Sequence, residues 1–329
     1  MPLHPQAAAA LARAAAAGVR PDHELTVAEA RAKAEAPKPG SVEPVASIED
    51  LVLPDAHGGL RVRVTTPSVH PLGVVLYLHG GGHVTGTVDS YDGLTHRLAN
   101  RVPAVVVSVD YRRAPEHRCP AAVEDAETAY AWLLEHAACL APGGSIAVAG
   151  DSAGGNNAAV LVRRLRDAGR PLPVAQVLLY PPVDAVAYLT APDTYPSYRE
   201  RGSGFGLAFE DGVAYWRHYL GPDGDPTSPD ASPIHAPDLG GLPPAYVVTV
   251  EYDVLRDEGR AYAERLRESG VPTVHRHWEG HLHGFLGDPA TYDDADVALE
   301  EIAEYLRLAC TGGSGWDGPA ERWPPITRE

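Results

Sequence analysis

Two short runs in this 329-residue chain are equipped for chemistry. The first is Gly150-Asp151-Ser152-Ala153-Gly154-Gly155. It fits the G-x-S-x-G pattern, in which a serine occupies a sharp strand-to-helix turn. The apolar run Ser145 to Ala149 before it reads as a buried strand, and Asn156 to Asp167 after it reads as a helix. So tight a turn needs small neighbours, which Gly150, Ala153 and Gly154 supply. A serine held this way exposes its Oγ at the mouth of a parallel sheet, placed to attack a carbonyl. The second run is His79-Gly80-Gly81-Gly82, after the strand-like Gly73 to Leu78. Consecutive glycines leave backbone N–H groups unshielded. Those of Gly81 and Gly82, with that of Ala153, can hold the oxyanion of a tetrahedral intermediate.

A nucleophilic serine needs a base and an orienting acid, in the chain order Ser, Asp/Glu, His. Ala245 to Val250 reads as a strand, and Asp253 stands just past it, on the sheet edge that Ser152 must share. Asp257 and Glu258 suit the first turn of a following helix. After a further strand, Thr273 to Trp278, the run Glu279-Gly280-His281-Leu282-His283-Gly284-Phe285 offers His281 or His283 as the base. His79 reads as a brace of the glycine loop, and Asp151 as a loop holder or a substrate contact. His275, His277, His281 and His283 look like a metal cluster. No cysteine or acidic partner has zinc-like spacing nearby, so no metal is expected. Asp110 to His117 reads as a structural turn with Arg112 and Glu116 in paired roles.

These motifs together resemble the hormone-sensitive-lipase-like branch of the α/β-hydrolases, which holds many bacterial carboxylesterases. The matches are HGGG at 79–82, Asp110-Tyr111-Arg112-Arg113-Ala114-Pro115-Glu116-His117, GDSAGG at 150–155, Leu242-Pro243-Pro244, the D-x-L-R-D-E-G run from Asp253, and His283-Gly284-Phe285. They span roughly residues 45 to 310 in the family's order. The resemblance selects His283 over His281 as base and Asp253 as acid. It implies an α/β-hydrolase fold: a mostly parallel central sheet, helices on both faces and a helical cap. It also implies a serine carboxylesterase that passes through an acyl-enzyme, needs no cofactor and acts on a small ester. A lyase, an acyltransferase or a non-catalytic receptor on the same scaffold are the alternatives. Three positions depart from the family: Val254 replaces a proline, Asn157 a leucine, and His83 a common aromatic. His83 is therefore a candidate determinant of what the acyl pocket accepts.

The elements that position these groups are legible in outline. Gln6 to Ala17 and Glu24 to Glu35 read as helices, closed off by Pro37-Lys38-Pro39-Gly40. Val42 to Leu53 and Leu60 to Thr65 read as a hairpin around Gly58-Gly59, followed by strands Val74 to Leu78 and Ala104 to Asp110. From about residue 74 strands alternate with helices such as Ala121 to His136 and Ala153 to Ala168, the pattern of a parallel sheet. After the strand Val174 to Tyr180, the stretch from Asp184 to about Asp230 breaks the alternation, with one helix expected around Leu207 to Leu220. A connection this long is usually functional. By resemblance it joins residues 1–40 as the cap, leaving 41–183 and 231–310 as the hydrolase core and 311–329 as an irregular tail. Tyr195, Phe205, Phe209 and Trp216 are candidate walls of the substrate cleft.

Composition excludes several partners. The formal charge of −17, from 27 basic and 44 acidic residues, argues against nucleic acid and anionic membranes. No run approaches the ~18 apolar residues of a membrane span. The alanine-rich Ala7 to Ala17 lacks a preceding basic region, so it is expected to be a helix and not a leader. Three widely spaced cysteines, Cys119, Cys139 and Cys310, form no disulfide framework, and a cytoplasmic setting is expected. A homodimer is the one assembly considered, and the sequence leaves the oligomeric state open.

Overall fold

The computed structural model describes residues 2–36, 42–141 and 143–312. The break at Pro37 to Gly40 and nearly all of the tail lie outside the described residues. Eight strands form one sheet: β1 (Ser47–Leu53), β2 (Leu60–Thr66), β3 (Gly73–Leu78), β4 (Val105–Val109), β5 (Ser145–Asp151), β6 (Gln176–Leu179), β7 (Ala245–Tyr252) and β8 (Thr273–Leu282). Their order is β1-β2-β4-β3-β5-β6-β7-β8. The β1–β2 hairpin forms as expected, and β2 meets β4 antiparallel. Every pairing from β4 to β8 is parallel. All these strands therefore deliver their C-terminal ends, and the loops that leave them, to one edge of the sheet.

The helices are α1 (Pro5–Ala16), α2 (Val27–Ala34), α3 (Asp92–Arg101), α4 (Ala121–Leu140), α5 (Ala153–Asp167), α6 (Ala185–Thr190), α7 (Pro196–Glu200), α8 (Phe209–Leu220), α9 (Arg256–Glu268) and α10 (Asp294–Cys310). Strand β3 and strand β4 are apolar almost throughout because both of their faces are covered. Alternate residues serve opposite faces. Val74, Leu76 and Leu78 pack with Ala126 and Leu133 of α4, Leu161 of α5 and Tyr262 of α9. Val75 and Tyr77 pack with Leu94 and Leu98 of α3 and Leu299 and Ile302 of α10. Ala7 of α1 joins this second face, so the alanine-rich helix lies against the sheet layer beside β8 and not over the cleft.

A third apolar cluster stands above the strand ends. Val84, Ala114, Val254 and Leu255 from the core loops meet Tyr188, Tyr198, Trp216 and Tyr219 from α6–α8. The stretch after β6 thus holds three helices where one was expected, two of them very short. No helix among the described residues is long and apolar enough to cross a membrane.

Candidate active site

Ser152 sits between β5 and α5 at φ 50° and ψ −124°. That conformation costs about 1–3 kcal/mol for a residue with a side chain and persists only where the surroundings dictate it. They do so by close approach: a Cβ on Gly154 would lie 1.9 Å from the Leu78 carbonyl oxygen. The α5 backbone is thereby pressed against the end of β3, the strand that leads into the glycine loop. The neighbour relation β3–β5 is what brings the two motifs together.

His283 and Asp253 come from the loops after β8 and β7. His283 Nε2 lies 3.0 Å from Ser152 Oγ, and its Nδ1 lies 2.7 Å from Asp253 Oδ2. The other Asp253 oxygen accepts the Leu255 N–H at 3.0 Å, which fixes the carboxylate. Tyr180, immediately after β6, meets the His283 ring edge-on at 4.7 Å. Burial of the ring opposes its charged form, yet the Asp253 carboxylate prevails and holds His283 above the ordinary histidine range. His281 is placed elsewhere. It is buried, stacks on Phe285 and His4, and meets Asp294 at 2.9 Å through Nε2.

The glycine loop faces the serine. Among the described residues, no acceptor takes the N–H of Gly81, Gly82 or Ala153. Ala153 opens α5, so its N–H is an unsatisfied helix-end donor at the positive end of the helix dipole. Asp151 ties this loop to the elbow. One of its oxygens accepts from the Tyr77 hydroxyl at 2.8 Å and the Gly80 N–H at 2.9 Å, and the other from the Tyr91 hydroxyl at 2.9 Å. Burial pushes the Asp151 carboxyl up from its ordinary value, against the pull of these donors. His79 lies beneath, stacked on Tyr111 at 4.2 Å and pushed down to about 4 by burial.

A cavity of ≈520 Å³ opens over Ser152 and His283. Gly81, Gly82, Asp151, Tyr91, Tyr180, Leu207 and Tyr215 line it, with carboxylates such as Asp22, Glu35 and Asp288. Of the six residues expected to touch substrate, the structure brings only Asp151 to this wall. His83 is buried, stacked face to face on Tyr219 at 3.7 Å and beside Trp216. Burial pushes it down to about 3, so it stays neutral and fills an aromatic's packing role. Trp216 and Phe209 face the apolar cluster, Phe209 stacking on Tyr188 at 5.0 Å. Tyr195 packs on Tyr198 and donates to Asp184 at 2.9 Å. Phe205 packs against Tyr252 at the sheet edge. The physical reason is packing: each of these five rings meets other rings in preference to a wet cleft, His83 and Trp216 fully buried and Tyr195, Phe205 and Phe209 half-buried.

The wall residues missed from sequence are Tyr91, Tyr180, Leu207 and Tyr215. Tyr180 had a signal, since it follows a parallel strand at the edge where ligands bind. Tyr215 had none, being one aromatic among several on α8. His275 and His277 both meet the Thr249 hydroxyl, at 2.8 and 2.9 Å, and His277 also meets Glu251. No group of three or more possible metal ligands occurs among the described residues.

A family model described as the alpha/beta hydrolase fold matches residues 75–287. Esterase LipI of Mycobacterium tuberculosis is 41% identical over 278 residues, 82% of this chain and 85% of its own. Ethyl acetate hydrolase of Pseudomonas putida is 34% identical over 93% of this chain and 99% of its own. Among solved structures, a hyperthermophilic esterase from Pyrobaculum calidifontis superposes with a TM-score of 0.84, at 39% identity over 93% of this chain and 98% of that one. The chain belongs to the α/β-hydrolase family, in the hormone-sensitive-lipase-like branch whose motifs it carries.

Proposed function

We propose that the protein is a serine esterase that hydrolyses short-acyl esters through an acyl-enzyme on Ser152. Its class, carboxylic ester hydrolase, follows from its family and its named relatives. The observation that carries the mechanism is the hydrogen-bonded chain Ser152–His283–Asp253, at 3.0 and 2.7 Å, beneath a cavity. In this reading His283 takes the Ser152 proton as Oγ attacks the ester carbonyl. Asp253 holds the ring in the required orientation and stabilises the imidazolium. The N–H groups of Gly81, Gly82 and Ala153 donate hydrogen bonds to the oxyanion. His283 then protonates the leaving alcohol, and water repeats the attack on the acyl-enzyme with the same base. We assign Tyr215 and Leu207 to the wall of the cleft, and α2 with α6–α8 to its cap.

The proposed setting is the cytoplasm, which suits the free thiols of Cys119, Cys139 and Cys310. The proposed assembly is a homodimer, which light scattering would check. The test of the mechanism is a fluorophosphonate probe together with p-nitrophenyl acetate. The probe should label Ser152 stoichiometrically. Ser152→Ala should keep the fold and lose labelling and about 10⁴-fold or more in kcat. A folded Ser152→Ala that retains most of its activity would overturn the assignment.

A further inference from the structure

The loop that presents the oxyanion donors is in a costly shape. Gly81, Gly82 and His83 are three successive residues at positive φ, 114°, 60° and 61°. The two glycines adopt this region freely, so the cost falls on His83, and the turn is closed from within: the Gly81 carbonyl accepts from the Val84 N–H at 3.0 Å, the Thr85 N–H at 2.8 Å and the Thr85 hydroxyl at 3.1 Å. These internal bonds close the turn, and a second set of contacts ties the chain that follows it to the rest of the fold.

The grip comes from α2. Arg31 Nε donates to the Val84 carbonyl at 2.9 Å, and its Nη2 donates to the Ala114 carbonyl at 2.9 Å. Ala114 in turn donates its N–H to the His83 carbonyl at 2.9 Å. The same guanidinium is neutralised by Glu116 in a two-pronged contact at 2.8 and 2.6 Å. One helical turn on, Glu35 pairs with Arg113, and Arg113 donates to the Gly86 carbonyl at 2.8 Å. The arrangement is crossed. Segment α2 sends an arginine and a glutamate, the loop 112–117 returns a glutamate and an arginine, and each arginine also holds a carbonyl of the glycine loop.

We infer that Arg31 is a positioning residue of the oxyanion hole: α2 reaches past the cleft to fix the backbone of residues 83–86, and so sets the aim of the Gly81 and Gly82 donors. This rests on the acyl-transfer reading above. A helix that merely roofed the cleft would need apolar contacts with it. Arg31 instead spends its donors on main-chain carbonyls of a strained loop. Lysine could keep the Glu116 ion pair but has no rigid fork to span Val84, Ala114 and Glu116 at once.

The test compares wild type, Arg31→Ala, Arg31→Lys and the swapped pair Arg31→Glu/Glu116→Arg. It uses steady-state kinetics on p-nitrophenyl acetate, thermal midpoints, and affinity for a short alkylboronic acid, whose tetrahedral adduct mimics the intermediate. Arg31→Ala and Arg31→Lys should lose about 10- to 100-fold in kcat, the scale of a displacement near 1 Å at a reacting group. Their KM should change by less than about twofold, because ground-state binding is not the affected quantity. Boronate affinity should fall in step with kcat. The swapped pair should recover thermal stability but not kcat, since its guanidinium no longer starts from α2. Unchanged kcat in Arg31→Ala overturns the inference. So does a loss confined to KM, or full recovery of kcat by the swapped pair. A wild-type enzyme that binds the boronate but hydrolyses no ester would instead sink the functional reading.

Discussion

At the scale of single residues, two histidines two positions apart do unrelated work. His283 bridges Ser152 and Asp253, whereas His281 is packed between Phe285 and His4. His283→Ala should therefore abolish turnover with a modest change in thermal midpoint. His281→Ala should keep kcat within about tenfold while destabilising the fold by about 1–3 kcal/mol, because it removes the contact with Asp294 and opens a gap among rings. The reverse pattern in kinetics and melting would exchange the roles. The pH dependence follows from the upward shift of His283. Only the neutral ring can take the serine proton, so activity must fall as pH drops through its pKa. That acid limb should be centred above the ~6.5 of an ordinary histidine. Asp253→Asn removes the carboxylate responsible and should move the limb to lower pH, alongside a large loss in kcat. Glu116 is held down to about 2 by Arg31, so the α2 clamp stays ionised throughout this range and does not confuse the profile.

At the scale of elements, legibility followed motif and length. Strands β3, β5, β7 and β8 were readable because each ends in a run whose residue types announce chemistry; in β3, β5 and β7 a largely apolar character also marks burial, whereas the edge strand β8 is mixed. The helices after β6 were not. Helix α6 has six residues and α7 five, too few turns for a 3.6-residue period to show. The wall of the cleft was misread for a geometric reason. Adjacent positions on a helix point about 100° apart, so Trp216 and Tyr215 cannot both face the cavity. Trp216 enters the apolar cluster, and Tyr215 lies over Gly82 with its hydroxyl donating to Asp22. Trp216→Ala should cost about 3–5 kcal/mol in stability, read by denaturant titration. Tyr215→Ala, whose ring is half-buried and bonded to Asp22, should cost less stability than Trp216→Ala but accept bulkier esters, read as a rise in kcat/KM for butyrate relative to acetate. Equal stability losses in the two variants would contradict this division of labour. His83 shows the same limit: a polar residue name concealed a packing role that only its neighbours Tyr219 and Trp216 reveal.

At the scale of the whole molecule, the cavity volume of ≈520 Å³ sets the expected substrate size. Each methylene that enters the cleft adds at most about 0.8 kcal/mol of transfer energy, and one that remains in water adds none. Across p-nitrophenyl acetate, butyrate, octanoate and palmitate, kcat/KM should peak at about C2 to C6 and then decline. A maximum at palmitate, or activation at an oil–water interface, would replace this reading with a lipase. The fold class itself was legible from the alternation of strands and helices, and the sheet order bears it out. The contact of α2 with the glycine loop was not, because ion pairs such as Arg31–Glu116, 85 residues apart, leave no local pattern.

The sheet order has one more consequence, for how the protein comes to be active. Ser152 is separated from its base by 131 residues, and the base lies just past the last strand to be made. During synthesis the nucleophile's elbow emerges long before His283 does, and until then Ser152 is an ordinary, weakly reactive hydroxyl. A parallel sheet with such distant partners also assembles slowly. On refolding, far-UV circular dichroism should therefore recover before fluorophosphonate labelling does. Simultaneous recovery would show that the triad closes with the first collapse. On the proposed mechanism chain order thus works as a timer: a nascent chain that ends before residue 283 lacks the base that activates Ser152.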